Sequence, residues 1–575
     1  MGAAFFEFLL VPPRLVQASD DWLPVDPAEL KMTSEPKAPG AASIFLYRQV
    51  DRDDQNFKEV HYARIKILTE EGRKNADVEL AFVKGEDRVD YIKARTIRPD
   101  GSIANFDGKI FEKTIVKARG VKYLAKTFTL PDVQVGSIIE YRYTSSWTDY
   151  LVYDSNWILS ANLFTKHAKF NLKPNEHFSV RWTWQMLPDG TAPPTKEGST
   201  IRLEAYNIPA FQSEDFMPPE NELKARVSFI YGSSNRETEP DKFWKAQGKK
   251  EYDDVDGFVN KRKAMEQAAG QIVSPSDSAD AKLRKIYARV QQLRNTSFEK
   301  EKSDKETKRE KQKENNNVED VWKNQSGNGG ELTWLFLGLV RGAGFEAYPV
   351  LVSRRNEYFF NPALMNPHQL NDSVVLVRSE GKDLYFDPGT AFTPYGYLPW
   401  SETFVRGLKL DKEGGSWVTT SIPTSSDSVV NRVADLKLSE DGGLTGKLTV
   451  TYTGLEAARR RMLERNEDEV ERKKYLEDEV KEWVPVSVDA ELTNKPTWNS
   501  SADTLIAEFD FKADGWSTQA GRRALIPVGF FVAQDKHLFE HANRVHPLYF
   551  EFPFETRDDV KIDLPLGWAA KACRQ

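Results

Sequence analysis

The chemistry-bearing residues of this chain gather around one stretch, Trp322 to Phe345. There a glycine cluster (Gly327, Gly329, Gly330) leads through Glu331 into an almost unbroken apolar run. That pattern predicts a loop feeding the N-terminus of a buried helix over 331–343, which stops near Gly342 and Gly344. A helix N-terminus aimed into an interior stabilises thiolates and other anions. A thiol hydrolase needs its nucleophile at such a place, a base on a facing strand, and an acceptor that orients the base. No cysteine, serine or histidine lies between 327 and 331. The downstream candidates are acidic: Asp372 at the start of one expected strand and Asp387 at the end of the next. With Glu331, these carboxylates could share a proton, hold a divalent cation, or act as acid and base on a glycoside. Glu331 is equally suited to capping the helix electrostatically.

Two other motifs carry weaker signals. His537-Leu-Phe-Glu-His541 has the H-x-x-E-H form that places two zinc ligands and a base on one helical turn. Its short, strand-rich surroundings and the following Arg544-Val-His546 argue for a loop with surface histidines, so no metal and no cofactor are expected. Cys573 is the only cysteine, which excludes an intrachain disulfide, and a catalytic role would need partners folded around the last residues.

The elements that must position the acidic residues follow from periodicity. Residues 250–296 read as helical, with Leu283, Ile286, Tyr287, Val290 and Leu293 at three- and four-residue spacings. Tyr348–Val352, Ser373–Arg378 and Asp383–Asp387 read as strands packed on the buried helix, an α+β layout. Before them, residues 43–240 alternate as strands of a mostly antiparallel β domain, with Pro99-Asp-Gly-Ser as one turn. Trp182 and Trp184 share one strand face there, where sheet packing is a simpler reading than sugar stacking. Residues 299–314 hold seven basic and six acidic side chains, a solvated helix or loop. Residues 400–431 read as a link. The last domain opens on a hairpin turning at Asp441-Gly-Gly, then one charged helix over 455–483 with Leu455, Met462, Val470, Leu476, Val480 and Trp483 as its buried stripe, and strands again from Thr504.

Composition bounds the function class. The 575 residues suit several cores, and an aromatic content of 12% leans toward strands. A net charge of −7 spread over the whole length gives no polyanion-binding signature, so nucleic acid is not an expected partner. No apolar run reaches the length of a transmembrane span. Residues 1–18 combine the apolar Phe5–Val11 with Val16-Gln-Ala18, which suits a signal-peptidase site, although Glu7 and the missing basic start make any signal peptide degenerate or truncated.

Three blocks in order, Gly327-Asn-Gly-Gly-Glu-Leu-Thr with Gly344-Phe, Leu370-Asn-Asp-Ser-Val-Val, and Leu384-Tyr-Phe-Asp-Pro, resemble the core of the transglutaminase-like superfamily. The flanks agree: Leu130–Tyr143 resembles the β domain of unknown function that precedes this core in many bacterial envelope proteins, and Thr445–Arg461 resembles the β domain that follows it. The resemblance implies an N-terminal antiparallel β domain (40–245), a central papain-like α+β core (250–400) and a C-terminal β domain carrying one long helix (430–575). It also implies a Cys-His-Asp triad whose positions fall on Gly329, Asp372 and Asp387, so that only the aspartate is retained. Asn328, Glu331 and Asn371 become candidate pocket residues. A glycine has nothing to deprotonate and a carboxylate cannot replace the imidazole, so the expectation is a catalytically degenerate protein. Such a protein would bind or scaffold a protein, peptide, cell-wall or glycan partner outside the cytoplasm. The alternative is a hydrolase of non-thiol mechanism built on Glu331, Asp372 and Asp387. A third reading is an envelope module whose working surface lies on the flanking β domains.

Overall fold

In the N-terminal part, alternating apolar residues build an eight-stranded sheet. Its order is Thr195–Glu197, Thr200–Ile208, Thr165–Lys173, Ser43–Asp53, Lys58–Ile67, Ile138–Trp147, Asp87–Ile97 and Ile103–Asn105. Every neighbouring pair is antiparallel except Ser43–Asp53 with Thr165–Lys173, which is parallel. The computed structural model describes residues 22–118, 121–232, 237–299, 314–484, 486–501, 504–520, 523–526, 529–531 and 543–570. The signal-like start, the charged run over 300–313, the H-x-x-E-H motif and Cys573 therefore lie outside the described residues. Two three-stranded sheets cover the large one. Asp77–Val83, Val121–Thr129 and Phe111–Ala118 bring Val78, Leu80 and Phe128 against Phe45, Ile65 and Ile139. Ser155–Ile158, Arg226–Gly232 and Ser179–Gln185 bring Trp157, Val227 and Phe229 against Phe170, Leu172 and Leu203. Trp182 packs on this second core, whereas Trp184 is exposed.

The central part is organised around the helix Gly329–Gly342. Leu332, Leu335, Phe336, Leu337, Leu339 and Val340 are all buried. Apolar side chains around its circumference require protein on every side, and four helices (Pro240–Val259, Arg262–Ile272, Ala279–Gln291, Val318–Asn324) and a sheet supply it. A Cβ on Gly342 would stand 2.6 Å from the Met265 carbonyl oxygen, so this glycine lets the Arg262–Ile272 helix approach. The helix is terminated by Gly344 at φ 93°: Phe345 N–H reaches the Val340 carbonyl and Gly344 N–H that of Arg341, a Schellman closure. The start is two residues earlier than the spacing predicts, because Asn328 caps it.

The sheet beside this helix is antiparallel and has the order Lys382–Phe386, Asp372–Ser379, Glu346–Val352, Arg406–Lys409, Ser416–Thr419. Two of its strands come from residues read as a link. Their Ser-, Thr- and Gly-rich composition hides short strands whose position is fixed by packing: a Cβ on Gly407 would meet Val350 Cγ1 at 2.8 Å.

The last sheet has the order Val488–Leu492, Leu505–Ala513, Leu444–Tyr452, Val429–Leu438, Glu555–Asp563, the final pair parallel. The single helix expected over 455–483 is two, Gly454–Leu463 and Glu469–Trp483. Asp468 breaks them apart by accepting from the N–H groups of Val470 and Glu471 at 2.9 and 3.0 Å. Val470 thereby falls in a first turn and is 72% exposed, not part of the buried stripe, while Leu476 and Val480 are fully buried. Strand Val488–Leu492 begins before the expected Thr504. Between the last two strands of this unit, residues 543–554 leave it. Val545 and His546 N–H donate to the Glu214 carboxylate, Tyr549 N–H to the Phe216 carbonyl, and Arg355 to Tyr549 Oη and the Glu551 carbonyl. The chain is an α+β multidomain protein. Among the described residues no helix is long and apolar enough to cross a membrane.

Candidate functional site

The site is built on the start of the buried helix and the ends of two sheet strands. Asn328 accepts from Glu331 N–H at 2.9 Å, and the Glu331 carboxylate accepts from Asn328 N–H at 2.9 Å. This reciprocal capping box satisfies two helix-start donors. Glu331 also accepts from Asn315 Nδ2 at 2.9 Å. Both side chains are therefore turned back on the loop that enters the helix.

At Gly329 a side chain would be a tight fit on one side. Its N–H donates to Ser297 Oγ at 3.0 Å, and a Cβ would stand 3.0 Å from the Gly389 carbonyl oxygen. That carbonyl is held by Asn295 Nδ2 at 2.7 Å. The fit is reciprocal and tighter from the other side: a Cβ on Gly389 would be 2.1 Å from the Gly329 carbonyl oxygen and 2.3 Å from Thr333 Oγ1. Two glycines thus let the loop after Asp387 lie backbone to backbone on the first helical turn.

Asp387 ends the strand Lys382–Phe386 and is 2% exposed. Its Oδ1 accepts from Thr333 Oγ1 at 2.9 Å, Gly389 N–H at 2.9 Å and Thr390 N–H at 3.3 Å, while its Oδ2 has no partner. Thr333 Oγ1 is also 3.1 Å from the Gly329 carbonyl, so one hydroxyl links the helix start to the acid. Tyr287, fully buried, donates to the Asp387 main-chain carbonyl at 3.2 Å.

Asp372 opens the neighbouring strand, where its Oδ1 accepts from Ser373 N–H at 2.8 Å and its Oδ2 lies 3.6 Å from Arg354 Nε. Asn371 accepts from Arg354 N–H at 2.9 Å and so secures the turn that carries this arginine. The third acid of the cluster is Glu402, 1% exposed, within hydrogen-bond reach of Asp372 and with Oε2 unpartnered.

Burial is the main force on these groups. It raises Asp387 to about 7, the charge of Asp372 adds to the rise, and the bonds from Thr390, Thr333 and Gly389 oppose it. Glu402 is pushed well above the carboxylate range by burial and by Asp387 and Asp372, against a partial offset from Arg354. Two buried acids beside a third cannot all ionise in a low-dielectric interior. Burial thus favours the neutral form of Glu402, and Asp387, raised to about 7, is poised between its two forms at neutral pH. Such a set can share and move protons.

The structure thus brings Gly329, Asp372 and Asp387 into one connected neighbourhood and adds Glu402 and Arg354. It leaves Asn328, Glu331 and Asn371 in capping and turn-holding roles. Glu402 gave no signal in the sequence because it sits in the segment read as a link. Gly389 did: a glycine directly after Asp387-Pro388 marks a close backbone approach. Among the described residues no group of three His, Cys, Asp or Glu is arranged to hold a metal ion. Beside the Gly329–Gly389 contact lies a groove of 310 Å³, walled by the Ala279–Gln291 helix, residues 388–392 and residues 499–501.

Residues 53–212 match the family model DUF3857, a domain of unknown function with a solved structure. No curated protein matches the chain. Among solved structures, a "putative protease" from Parabacteroides distasonis is similar at 11% identity and a TM-score of 0.45, covering 82% of this chain and 93% of its own. Leukotriene A4 hydrolase from yeast, native and in complex with bestatin, is similar at 11% identity and a TM-score of 0.20, over 44% of this chain and 40% of theirs. With all three scores below 0.5, these likenesses carry no argument about activity.

Proposed function

We propose that the protein is a catalytically degenerate transglutaminase-like chain that binds or scaffolds a peptide, a cell-wall component or a partner protein outside the cytoplasm. In this reading residues 1–18 are a degenerate signal peptide. Residues 40–245, 250–400 and 430–575 are the preceding β domain, the transglutaminase-like core and the following β domain. The observation that carries it is a nucleophile position that has no side chain and is closely approached by the Gly389 loop. At Gly329 the helix-start N–H is bonded to Ser297 and the Cβ site faces the Gly389 carbonyl at 3.0 Å. A nucleophile there would need the missing side chain and a few tenths of an ångström of give from the Gly389 carbonyl, and Asp372 offers no imidazole. The groove beside the contact leaves room for a ligand.

A second reading is favoured by the proton-sharing set: a hydrolase of non-thiol mechanism, with Glu402 as the acid and Asp387 as the base. One experiment separates the two. Wild type and Asp387→Asn are incubated with broad peptide and glycan panels and scored for cleavage and for retention. Retention without cleavage supports the binding reading. Turnover that follows a bell-shaped pH profile and disappears in Asp387→Asn would refute it.

A further inference from the structure

We infer that the groove between Phe392 and residues 499–501 is a binding site for a neutral oligosaccharide; this rests on the binding reading above and gives it a ligand class. At 310 Å³ the groove is at the small end of ligand sites, which span about 300–1,000 Å³. None of its lining side chains is charged. A charged ligand would leave its charge unpaired there, whereas a neutral polyhydroxylated one would not.

The polar groups divide into two sets. Gln291 and Asn295 are used internally: Gln291 Nε2 donates to the Thr393 carbonyl at 2.8 Å, and Asn295 Nδ2 to the Gly389 carbonyl at 2.7 Å. Ser501 belongs to the same set, donating to Gln291 Oε1, whereas Gln292 and Asn499 at the exposed rim and the half-buried Ser500 line the groove with side chains that bond to no described residue. An amide offers planar donors and an acceptor together, and a hydroxyl both roles at one atom. Adjacent sugar hydroxyls present the same paired donor and acceptor pattern.

The apolar wall is equally specific. Phe392 lines the groove and is held at φ 63°, a left-handed conformation that costs a non-glycine residue about 1–3 kcal/mol. Its ring lines the groove together with Gln292 and Asn499. An aromatic face packs on the C–H face of a pyranose, and Leu332 and Pro388 extend that surface. An extended peptide would look for an open strand edge to pair its main chain. The groove is walled mainly by a helix and two loops instead.

The test is a panel of neutral oligosaccharides, with blocked neutral peptides of similar size beside them, titrated calorimetrically into the full chain. Phe392→Gly removes the ring while relieving the backbone, and Gln292→Ala/Asn499→Ala removes two groups without a bond to lose. The expected result is binding of at least one oligosaccharide, weakened at least tenfold by each variant with the thermal midpoint kept. Absence of oligosaccharide binding, binding unchanged in the variants, or selection of peptides instead overturns the inference. The two failures are distinguishable. Peptide capture alone would leave the binding reading standing. Cleavage of a bound oligosaccharide by wild type and not by Asp387→Asn would refute the non-catalytic reading and leave the groove assignment intact.

Discussion

Replacing Asp387 by Asn should make the protein more stable at alkaline pH, not less. A carboxyl whose folded pKa is raised contributes stability that is fully present below its unfolded pKa, about 3.9, and is lost as pH rises through the folded value. For Asp387 that folded value is about 7, set first by burial and next by Asp372. The linked free energy is about 4 kcal/mol as an upper figure, since each pH unit is worth about 1.4 kcal/mol and the neighbouring acids share the effect. Asparagine keeps Oδ1 as an acceptor for Thr333, Gly389 and Thr390, and its Nδ2 fills the place of the unpartnered Oδ2 with a donor. Wild type should lose stability between about pH 4 and pH 8, most of it below pH 7, and Asp387→Asn should lose up to about 4 kcal/mol less over that range. A chain of several units has no single unfolding transition, so the readout is amide hydrogen exchange within Gly329–Gly342, whose local opening depends on this contact. Equal pH dependence in the two proteins, or faster exchange in the variant at pH 8, would refute the reasoning.

Four further outcomes rest on the same geometry. Glu402→Gln should change stability at pH 7 by less than about 1 kcal/mol, because burial and its acidic neighbours favour the neutral form of Glu402, and the buried-acid carbonyl band in the infrared should weaken. Gly389→Ala should destabilise the helix Gly329–Gly342 by more than about 3 kcal/mol by hydrogen exchange, since its Cβ would collide with the Gly329 carbonyl and with Thr333. Gly329→Cys should fold with a loss of about 1–2 kcal/mol and react slowly with iodoacetamide at pH 7, since no imidazole deprotonates it; rapid alkylation with peptidase activity would contradict the degenerate reading. In the last unit, Arg460→Met should cost about 1–3 kcal/mol by hydrogen exchange within Gly454–Leu463, because Arg460 is buried between Glu456 and Glu479 and its loss leaves them with Arg459 and Tyr452 alone.

The buried helix was legible because its composition is extreme: seven large apolar residues in the nine positions from Leu332 to Val340 leave one environment open to it. Asp372 and Asp387 were legible as neighbours because one opens an apolar strand and the other follows the apolar end, Leu384-Tyr-Phe, of the next, and antiparallel pairing brings those ends together. Glu402 was not, because its burial is decided by tertiary packing of a short turn that has no period of its own. The split of the charged helix at 464–468 had a readable sign in Asp468, but the stripe on either side continues at helical spacing and masks it. The link over 400–431 concealed two strands for a similar reason: Gly407 is buried by the approach of Val350, which only the folded sheet supplies.

The excursion of residues 543–554 has a consequence for how the chain is made. Strand Val429–Leu438 waits for its parallel neighbour Glu555–Asp563 until the ribosome has added more than a hundred residues, about 6–25 s at ordinary elongation rates. During that interval one edge of the last sheet is open, and the grip of Glu214, Phe216 and Arg355 on the returning segment has not formed. The first two units can close while synthesis continues. The third is completed only when the chain has reached back across both of them, so the whole assembly is fastened last by a segment that belongs to none of its sheets.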